Sequence, residues 1–258
     1  MAIVHLLSLL TDLWKRFDDY ILDLRLHFGH TITDDAQRRI TRIFPNQVVK
    51  GPCTQQEVEG TLFAAQHAAL HSFTPRIHRI HERRDGRAFI IMEFVEGENL
   101  LDVWPRLDDV GRRDVVKQLW RNLQQLRACV QPVSASGVLV GSAISGSEVR
   151  DGSYSLDPFG PFWNLEGFNR LQQRNPNLQR FSRFWTPVDK RAASTVFTHG
   201  DMALRNVIVR QDGSLCLIDW EAAGWWPEYW EMCKWHFGDW PRLPGWVDLM
   251  DEVSGLNV

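Results

Sequence analysis

The sequence predicts an α+β protein with two lobes, a small N-terminal lobe built on an antiparallel sheet and a larger, mostly helical C-terminal lobe. Two observations lead to this prediction. A β-hairpin pattern lies over residues 76–95, and helical periodicity dominates the stretch that follows it. Glu96-Gly97-Glu98 ends the sheet region. We therefore divide the chain into residues 1–95, with the N-terminal helices and the small lobe, and residues 96–258, the helical lobe.

The N-terminal lobe begins with predicted helices. Apolar residues recur at helical spacing over residues 3–28, which predicts an amphipathic helix. A capping signal at Thr31–Asp34 predicts a second helix that runs through Arg39 to about Ile43. A short strand over residues 47–50 follows, and residues 57–70 have the pattern of another helix.

The first hairpin turns at Arg83-Arg84-Asp85-Gly86, where Asp-Gly indicates a two-residue type I′ turn. Its second strand, Ala88 to Val95, is apolar enough to be buried on both faces. Helices are expected up to residue 130, and the Gly- and Ser-rich stretch over residues 137–161 is expected to form a long irregular loop.

The overall composition is that of an ordinary soluble globular protein. Of the 258 residues, 44% are hydrophobic and 24% are charged, and the formal net charge is −3. A net charge so close to zero shows no excess of basic residues that would bind nucleic acid or an anionic membrane, and it indicates no protein partner. The 12 tryptophans are interpreted as core residues.

The N-terminal segment and the cysteines favour a cytoplasmic location. The apolar N-terminus lacks a basic leader and a small-residue cleavage site, and charged residues soon interrupt it, so neither a signal peptide nor a membrane span is expected. The four cysteines form no CxxC pair, which indicates free thiols in a reducing compartment.

The chemistry of this chain is concentrated in residues 196–221. Two apolar runs, 207–209 and 215–218, flank Asp212-Gly213. If these two residues form the loop of a tight hairpin, Val207 opposes Ile218, and the next pair outward is Asn206 and Asp219. Directly opposed residues share one face of a ladder. An amide oxygen and a carboxylate would then lie side by side at the open end of the hairpin.

Such a pair of hard oxygen donors suits magnesium, which usually takes one or two ligands from protein and leaves room for phosphate oxygens. Asp201 precedes Asn206 by five residues and brings a second carboxylate to the same end. In phosphoryl transfer, a carboxylate of this kind accepts the proton of the attacking hydroxyl.

An ordinary hairpin with polar ends is the alternative, because Asp, Asn and Gly are common at turns. The full pattern is far more specific: His-Gly-Asp, four residues, Asn, twelve residues, Asp. By ordinary residue frequencies, its chance occurrence in a chain of this length is on the order of one in ten thousand.

This stretch resembles the aminoglycoside phosphotransferase family, relatives of choline kinase and of protein kinases. The matching motifs are His199-Gly200-Asp201, Asn206 and Ile218-Asp219-Trp220-Glu221. The resemblance implies a protein-kinase-like fold and an ATP- and magnesium-dependent kinase that phosphorylates a hydroxyl of a small molecule. Asp201 would be the catalytic base, Asn206 and Asp219 the magnesium ligands, and His199 would orient the loop by hydrogen bonds.

The resemblance extends to the N-terminal lobe. Lys50, in Val48-Val49-Lys50, resembles the lysine that contacts the α- and β-phosphates of ATP, and a following helix should supply a glutamate that holds it. Glu59 is the first choice, and Glu57 is the alternative. The stretch 91–97 resembles the hinge between lobes, where backbone groups of Glu93 and Val95 would bind the adenine edge.

Other features leave alternatives open. The chain has no G-x-G-x-x-G loop before Lys50, and after Asp219 it has no Ala-Pro-Glu of a protein-kinase activation segment. A catalytically inactive nucleotide- or ligand-binding protein on the same fold is the rival interpretation.

The identity of the acceptor stays open as well. A cationic acceptor could meet acidic residues after the motif, although a solvated helix face is the simpler interpretation, and an aromatic acceptor could meet a cluster of rings. These candidates are Glu221, Glu228, Glu231 and Asp239 for the acidic set, Trp225, Trp226, Trp230 and Trp235 for a cation cage, and Phe159, Phe162, Trp163 and Phe168 for the ring cluster.

Overall fold

The computed structural model describes residues 2–34, 39–152, 155–174, 194–237 and 243–255. The chain divides into two compact units. The first comprises Met1–Val58 and Arg76–Phe94, and the second comprises Glu59–Pro75 and Val95–Val258. The division after residue 94 lies one residue from the predicted boundary. Residues 59–75, which the sequence placed in the first region, group with the second unit.

The first unit is a five-stranded antiparallel sheet with one long helix. Its elements are α1 (Ala2–His27), β1 (His30–Asp34), β2 (Arg39–Ile43), β3 (Gln47–Cys53), β4 (Ile77–Glu82) and β5 (Ala88–Glu93), and the strand order is β1-β2-β3-β5-β4. Both the first predicted helix and the predicted hairpin are confirmed. A small core of apolar side chains joins α1 to the sheet, and it consists of Leu22, Ile43, Val49, Phe89 and Ile91.

The second predicted helix, over residues 31–43, is wrong, because strands β1 and β2 occupy this stretch. Its β-branched residues fit a pleated strand better than a helix. Thr41 and Ile43 are buried and alternate with the exposed Arg42, and every residue of β2 pairs with one of β3. The local capping signal is outweighed by this pairing, and the period-2 alternation was the signal that could have revealed it.

Charged pairs hold α1 against β4 and the turn that follows it. Three aspartates on one face of the helix meet basic side chains, in the pairs Asp18–Arg79, Asp19–His81 and Asp23–Arg83. The outer face of the same helix is apolar and exposed, with Leu13, Trp14, Phe17 and Tyr20 all more than half accessible to solvent.

In its described residues, the second unit combines helices with three small sheets. The helix α2 (Gln55–Gln66) begins in the first unit and ends in the second. The remaining elements are β6 (Glu98–Asn99), α3 (Leu100–Val103), α4 (Asp109–Arg127), β7 (Val149–Asp151), β8 (Ser155–Phe159), α5 (Leu165–Gln173), β9 (Thr195–Thr198), β10 (Val207–Val209), β11 (Leu215–Leu217), β12 (Gly224–Pro227), α6 (Trp230–Phe237) and α7 (Trp246–Ser254). The sheets have the orders β11-β10-β6, β12-β9 and β7-β8, and all of their pairs are antiparallel.

Tryptophan forms much of the core of the second unit, as predicted. Six tryptophan side chains are at most 1% exposed, namely Trp104, Trp225, Trp226, Trp230, Trp235 and Trp246. Phe168 is fully buried against Trp226 and Trp230. These rings therefore stabilise the fold by burial, and the proposed cation cage is wrong, because its four members are inaccessible.

The stretch 137–161 is not the peripheral loop that its composition indicated. It contributes β7 and part of the core, where Val140, Ala143 and Val149 are fully buried.

No helix in the described parts of the chain is long and apolar enough to cross a membrane. All four cysteines are free thiols, as predicted.

Candidate functional site

Strands β10 and β11 form the predicted hairpin between Asn206 and Asp219, here called the catalytic-motif hairpin. Its predicted register is wrong by one residue. In the structure Val207 pairs with Leu217 and Val209 with Leu215. The loop contains three residues rather than two, because Asp212 does not adopt the positive φ that a type I′ turn requires at both central positions. Its carboxylate instead accepts a hydrogen bond from the Ser214 N–H at 2.9 Å, and Gly213 alone takes a left-handed φ of 79°.

The first hairpin turns in the same way. The Asp85 carboxylate accepts from the Arg87 N–H at 3.0 Å, and Gly86 has a φ of 82°. An aspartate that binds the backbone two residues ahead favours a type I turn followed by a left-handed glycine. These two Asp-Gly turns therefore have three-residue loops.

Asp219 lies at the open end of the hairpin, next to the backbone of Asn206. The Ile218 N–H donates to the Asn206 carbonyl oxygen at 2.9 Å, so Asn206 opposes Ile218, and Asp219 is the next residue. Among the residues that the structure describes, Asp219 is the one non-glycine residue with a positive φ, which is 67°. A left-handed aspartate is strained by about 1–3 kcal/mol, and such strain is typical of functional sites.

Asp201 and Asn206 are in direct contact. The Asn206 Nδ2 donates to the Asp201 carboxylate and to its backbone carbonyl, both at 2.8 Å. The Asn206 side chain is buried and its nitrogen is directed to Asp201, so the amide oxygen is the atom that could bind a metal. Arg205 also donates to both carboxylate oxygens of Asp201, at 2.7 and 2.9 Å.

His199 links the loop of Asp201 to the strand end that carries Asp219. Its Nε2 lies 3.0 Å from the Ile218 carbonyl oxygen, which can only accept, so this nitrogen carries the hydrogen. The Nδ1 is then the acceptor for the Asp201 N–H at 3.4 Å. The buried, neutral imidazole therefore has the contacts expected of a residue that orients the loop.

Glu231 has a role in the site that its sequence did not predict. Its Oε2 accepts from the His199 N–H at 2.7 Å, and its Oε1 accepts from the Gly200 N–H at 3.2 Å. Gly200 has a φ of 78°, and a Cβ there would lie 2.3 Å from the Ala222 carbonyl oxygen. Glu231 is only 5% exposed, so its interpretation as part of a solvated face or a cation site is wrong. Its neighbours Trp230 and Met232 are apolar, which was the available signal for burial.

The other members of the predicted acidic and aromatic sets have different surroundings. Glu228 is exposed and accepts from the Ser194 hydroxyl at 2.7 Å, and Asp239 lies outside the described residues. Of the ring set, Phe162 packs against the buried Phe168 with ring centroids 5.7 Å apart, and Phe159 packs against Trp226, whereas Trp163 is exposed. Three of the four rings therefore lie together around the tryptophan core, and their role in binding an acceptor stays a prediction.

Burial raises the pKa of Glu231 to about 7, although the His199 and Gly200 amides and the charges of Lys234 and Arg127 oppose this shift. Between pH 4.5 and 7 the folded protein therefore holds a proton that the unfolded chain has released. The free energy of unfolding should fall as the pH rises through this window, by on the order of 3 kcal/mol, and then level off.

Urea unfolding of the wild type and Glu231→Gln between pH 5 and 8 tests this expectation. The glutamine variant should lack the Glu231 part of the pH slope, whereas Glu228→Gln, a change at an exposed neighbour, should keep it. Parallel pH profiles for the wild type and Glu231→Gln would show that Glu231 titrates alike in the folded and unfolded chains.

Lys50 forms its ion pair with Glu57, the alternative partner. Lys50 lies on β3 and Glu57 in the first turn of α2, and both side chains are nearly inaccessible to solvent. The first choice, Glu59, is engaged elsewhere: its Oε2 accepts from the Ser142 hydroxyl at 2.6 Å and from the Ile144 and Ser145 amides at 3.0 and 2.9 Å. Although burial acts to raise the pKa of Glu59, these hydrogen bonds hold it below its usual value.

Two glutamates that lie two positions apart in one helix cannot be ranked from local sequence. Helical spacing places Glu57 and Glu59 on different faces, so the position of β3 decides which one meets Lys50. The pairing of Lys50 with Glu57 could therefore be identified only from the tertiary structure.

The predicted adenine contacts stay predictions. Glu93 ends β5, and its N–H donates to the Arg76 carbonyl oxygen at 2.9 Å. Val95 is half-buried and belongs to the second unit. The connection between β1 and β2, residues 35–38, where a phosphate loop would be sought, lies outside the described residues.

The oxygen donors of the site suit a magnesium ion that shares its ligands with phosphate. Asn206 offers an amide oxygen and Asp219 a carboxylate, which are hard ligands of the kind that magnesium prefers. Within the described ranges, no group of three or more His, Cys, Asp or Glu side chains could hold a metal by itself. A magnesium ion here would depend on phosphate oxygens and water for its remaining ligands.

A family model described as the phosphotransferase enzyme family matches residues 30–241. No curated protein matches the chain by sequence. Many solved structures match it in fold.

One of these structures is the aminoglycoside phosphotransferase APH(4)-Ia, with 13% identity and a TM-score of 0.62 over 91% of this chain and 80% of that chain. A ternary complex of an APH(4)-Ia mutant with ADP and hygromycin B has a TM-score of 0.61 at 13% identity, over 91% and 79% of the two chains. The GDP and kanamycin complex of APH(2")-IIIa has a TM-score of 0.58 at 17% identity, over 89% and 78%. The two-lobed protein-kinase-like fold is confirmed.

Proposed function

Because this chain belongs to the phosphotransferase enzyme family, we propose that it is a small-molecule kinase that transfers the γ-phosphoryl group of ATP to a hydroxyl. One observation carries this proposal. The Asp201 carboxylate is held by Asn206 in a loop whose backbone is anchored by His199 and Glu231. Such a preorganised carboxylate is what a hydroxyl acceptor requires of a general base.

Each polar residue of the site has a proposed role. Asp201 aligns the acceptor hydroxyl and takes its proton as the oxygen attacks the γ-phosphorus. Lys50, paired with Glu57, contacts the α- and β-phosphates, and the backbone of Glu93 and Val95 binds adenine. His199 and Glu231 orient the loop of Asp201 and do not touch the reacting atoms.

Magnesium, when bound, neutralises the charge on the phosphates as it develops. Asn206, through its amide oxygen, and Asp219, through its carboxylate, would hold the ion. The left-handed backbone of Asp219 supports this assignment, because strain is retained where a side chain must have one direction.

A small, polyhydroxylated acceptor is supported by the similar structures. Their complexes contain hygromycin B or kanamycin together with ADP or GDP. We therefore place the acceptor in the broad class of small molecules that carry hydroxyl groups. The four free thiols support a reducing compartment such as the cytoplasm.

The proposal is tested by nucleotide binding and then by a search for the acceptor. ATP with magnesium should raise the melting temperature of the protein, and ATP with excess EDTA should raise it much less. Hydroxylated metabolites and aminoglycosides incubated with enzyme and ATP should then be screened for the mass gain of one phosphate.

A mass gain that Asp201→Asn abolishes would support the kinase assignment. Nucleotide binding without turnover of any acceptor or of ATP alone would favour the catalytically inactive binding protein. Absence of any nucleotide effect on melting would contradict both interpretations.

A further inference from the structure

Arg205 covers the proton-accepting oxygens of Asp201. The Arg205 Nη2 lies 2.9 Å from Oδ1 and 2.7 Å from Oδ2 of Asp201. The two residues are four positions apart, and Arg205 lies in the short 3₁₀ turn Leu204–Asn206. The same turn supplies Asn206, which donates to Oδ2 from another direction.

The arginine contacts both oxygens of a carboxylate that solvent can still reach. Asn206 is buried, whereas the side chain of Arg205 is 46% exposed and that of Asp201 is 19% exposed. The two oxygens of a carboxylate have about four lone-pair sites, and the three hydrogen bonds from Arg205 and Asn206 occupy most of them. A general base must accept a hydrogen bond from the group that it deprotonates, so a hydroxyl or a water molecule that binds Asp201 competes with Arg205 for these oxygens.

Arg205 can leave Asp201 without a large penalty. An ion pair between residues four apart contributes little to stability when one partner is exposed, because solvent screens it, and the Arg205 side chain is 46% exposed. The guanidinium also forms strong bidentate hydrogen bonds with phosphate oxygens. A bound nucleotide and an acceptor hydroxyl together offer Arg205 a second partner and offer Asp201 a replacement donor.

On the premise of the proposed kinase function, we propose that Arg205 shields Asp201 from water while no acceptor is bound and moves to the γ-phosphoryl oxygens when an acceptor hydroxyl takes its place. Arg205 is thus a positioning residue for the base in one state and a ligand of the transferring group in the other. This contact between Arg205 and Asp201 suppresses hydrolysis of ATP by water. An acceptor has further contacts that help its hydroxyl to displace the arginine, and a water molecule has none.

The suppressed reaction is a balanced one. The oxygen of water forms a bond to the γ-phosphorus, and the bond from that phosphorus to the bridging oxygen breaks, so that ADP leaves with the electron pair. The proton of the attacking water goes to the Asp201 carboxylate. Without Arg205, Asp201 is open to water and this reaction should accelerate.

Release of phosphate from magnesium-ATP, with no acceptor present, tests the proposal in the full-length protein. Arg205→Ala should raise the hydrolysis rate about tenfold, which is less than the roughly 10²–10⁴-fold effect of a well-placed general base, because the water is not otherwise positioned. The double variant Arg205→Ala, Asp201→Asn should lose this gain, since the gain depends on the base. Arg170→Ala removes a matched exposed pair, Arg170–Glu166, also four residues apart, and should leave hydrolysis unchanged.

A gain of activity is an outcome that a folding defect does not produce. Hydrolysis that is unchanged or lower in Arg205→Ala, or a gain that persists in the double variant, would overturn the role of Arg205 alone. A wild-type protein on which magnesium-ATP has no effect in melting experiments would instead overturn the kinase function and, with it, this proposal.

Discussion

Replacement of Asp201 by asparagine is expected to lower phosphoryl transfer by roughly 10²–10⁴-fold, the contribution that a general base typically makes. The asparagine has nearly the same shape and can still accept from Asn206 through its oxygen. It cannot take the proton of an acceptor hydroxyl, and its amide nitrogen would repel the donors of Arg205. The loss should therefore appear in kcat, while the affinity for nucleotide changes little.

The rate of ADP formation with the acceptor found in the screen measures this effect, and the melting temperature reports whether the fold persists. Asp212→Asn is the matched control: it makes the same chemical change at the exposed tip of the same hairpin, where the side chain binds the Ser214 N–H. Near-normal turnover in Asp201→Asn, with a normal melting temperature, would remove Asp201 from the chemistry.

Asp219→Asn is expected to abolish most of the magnesium-dependent part of ATP binding and to lower turnover by roughly 10²–10³-fold, because several kcal/mol of charge stabilisation would be lost. Asparagine is preferred to alanine here, since asparagine tolerates the left-handed backbone of residue 219. The substitution thus removes the charge while it keeps the local conformation.

Melting experiments with ATP over a series of magnesium concentrations measure this loss. The wild type should gain stability with both ligands together, and Asp219→Asn should gain much less, with Asp212→Asn again as the control that behaves like the wild type. An Asp219→Asn protein that keeps the full magnesium-dependent gain would show that other groups hold the metal.

The elements that local patterns specify were predicted well. Helix α1 has an apolar repeat at helical spacing, and the strands β4 and β5 flank a turn sequence, so nearest neighbours in the chain carry enough information. The contact between Asp201 and Asn206 and the position of Asp219 next to the residue opposite Asn206 likewise depend on near neighbours in the chain, whereas the catalytic roles of these residues stay predictions.

Errors arose where a distant strand or a side chain determined the conformation. Residues 39–43 follow a helix capping signal but pair with β3. The register of the catalytic-motif hairpin shifted by one residue because the Asp212 carboxylate binds the Ser214 N–H. A one-residue difference in loop length changes the register of every pair in a hairpin, so it also changed the predicted pairing of Asn206 from Asp219 to Ile218.

The sequence by itself determined helix α1, the two hairpins and the position of Asp219 at the open end of the second one, because each of these depends on contacts between residues that are near each other in the chain. Only the tertiary structure decided that Glu57 binds Lys50, that Glu231 anchors the loop and that Arg205 covers Asp201. A buried or partly buried charge must find a partner, and whichever donor or acceptor the fold brings within hydrogen-bond distance becomes that partner.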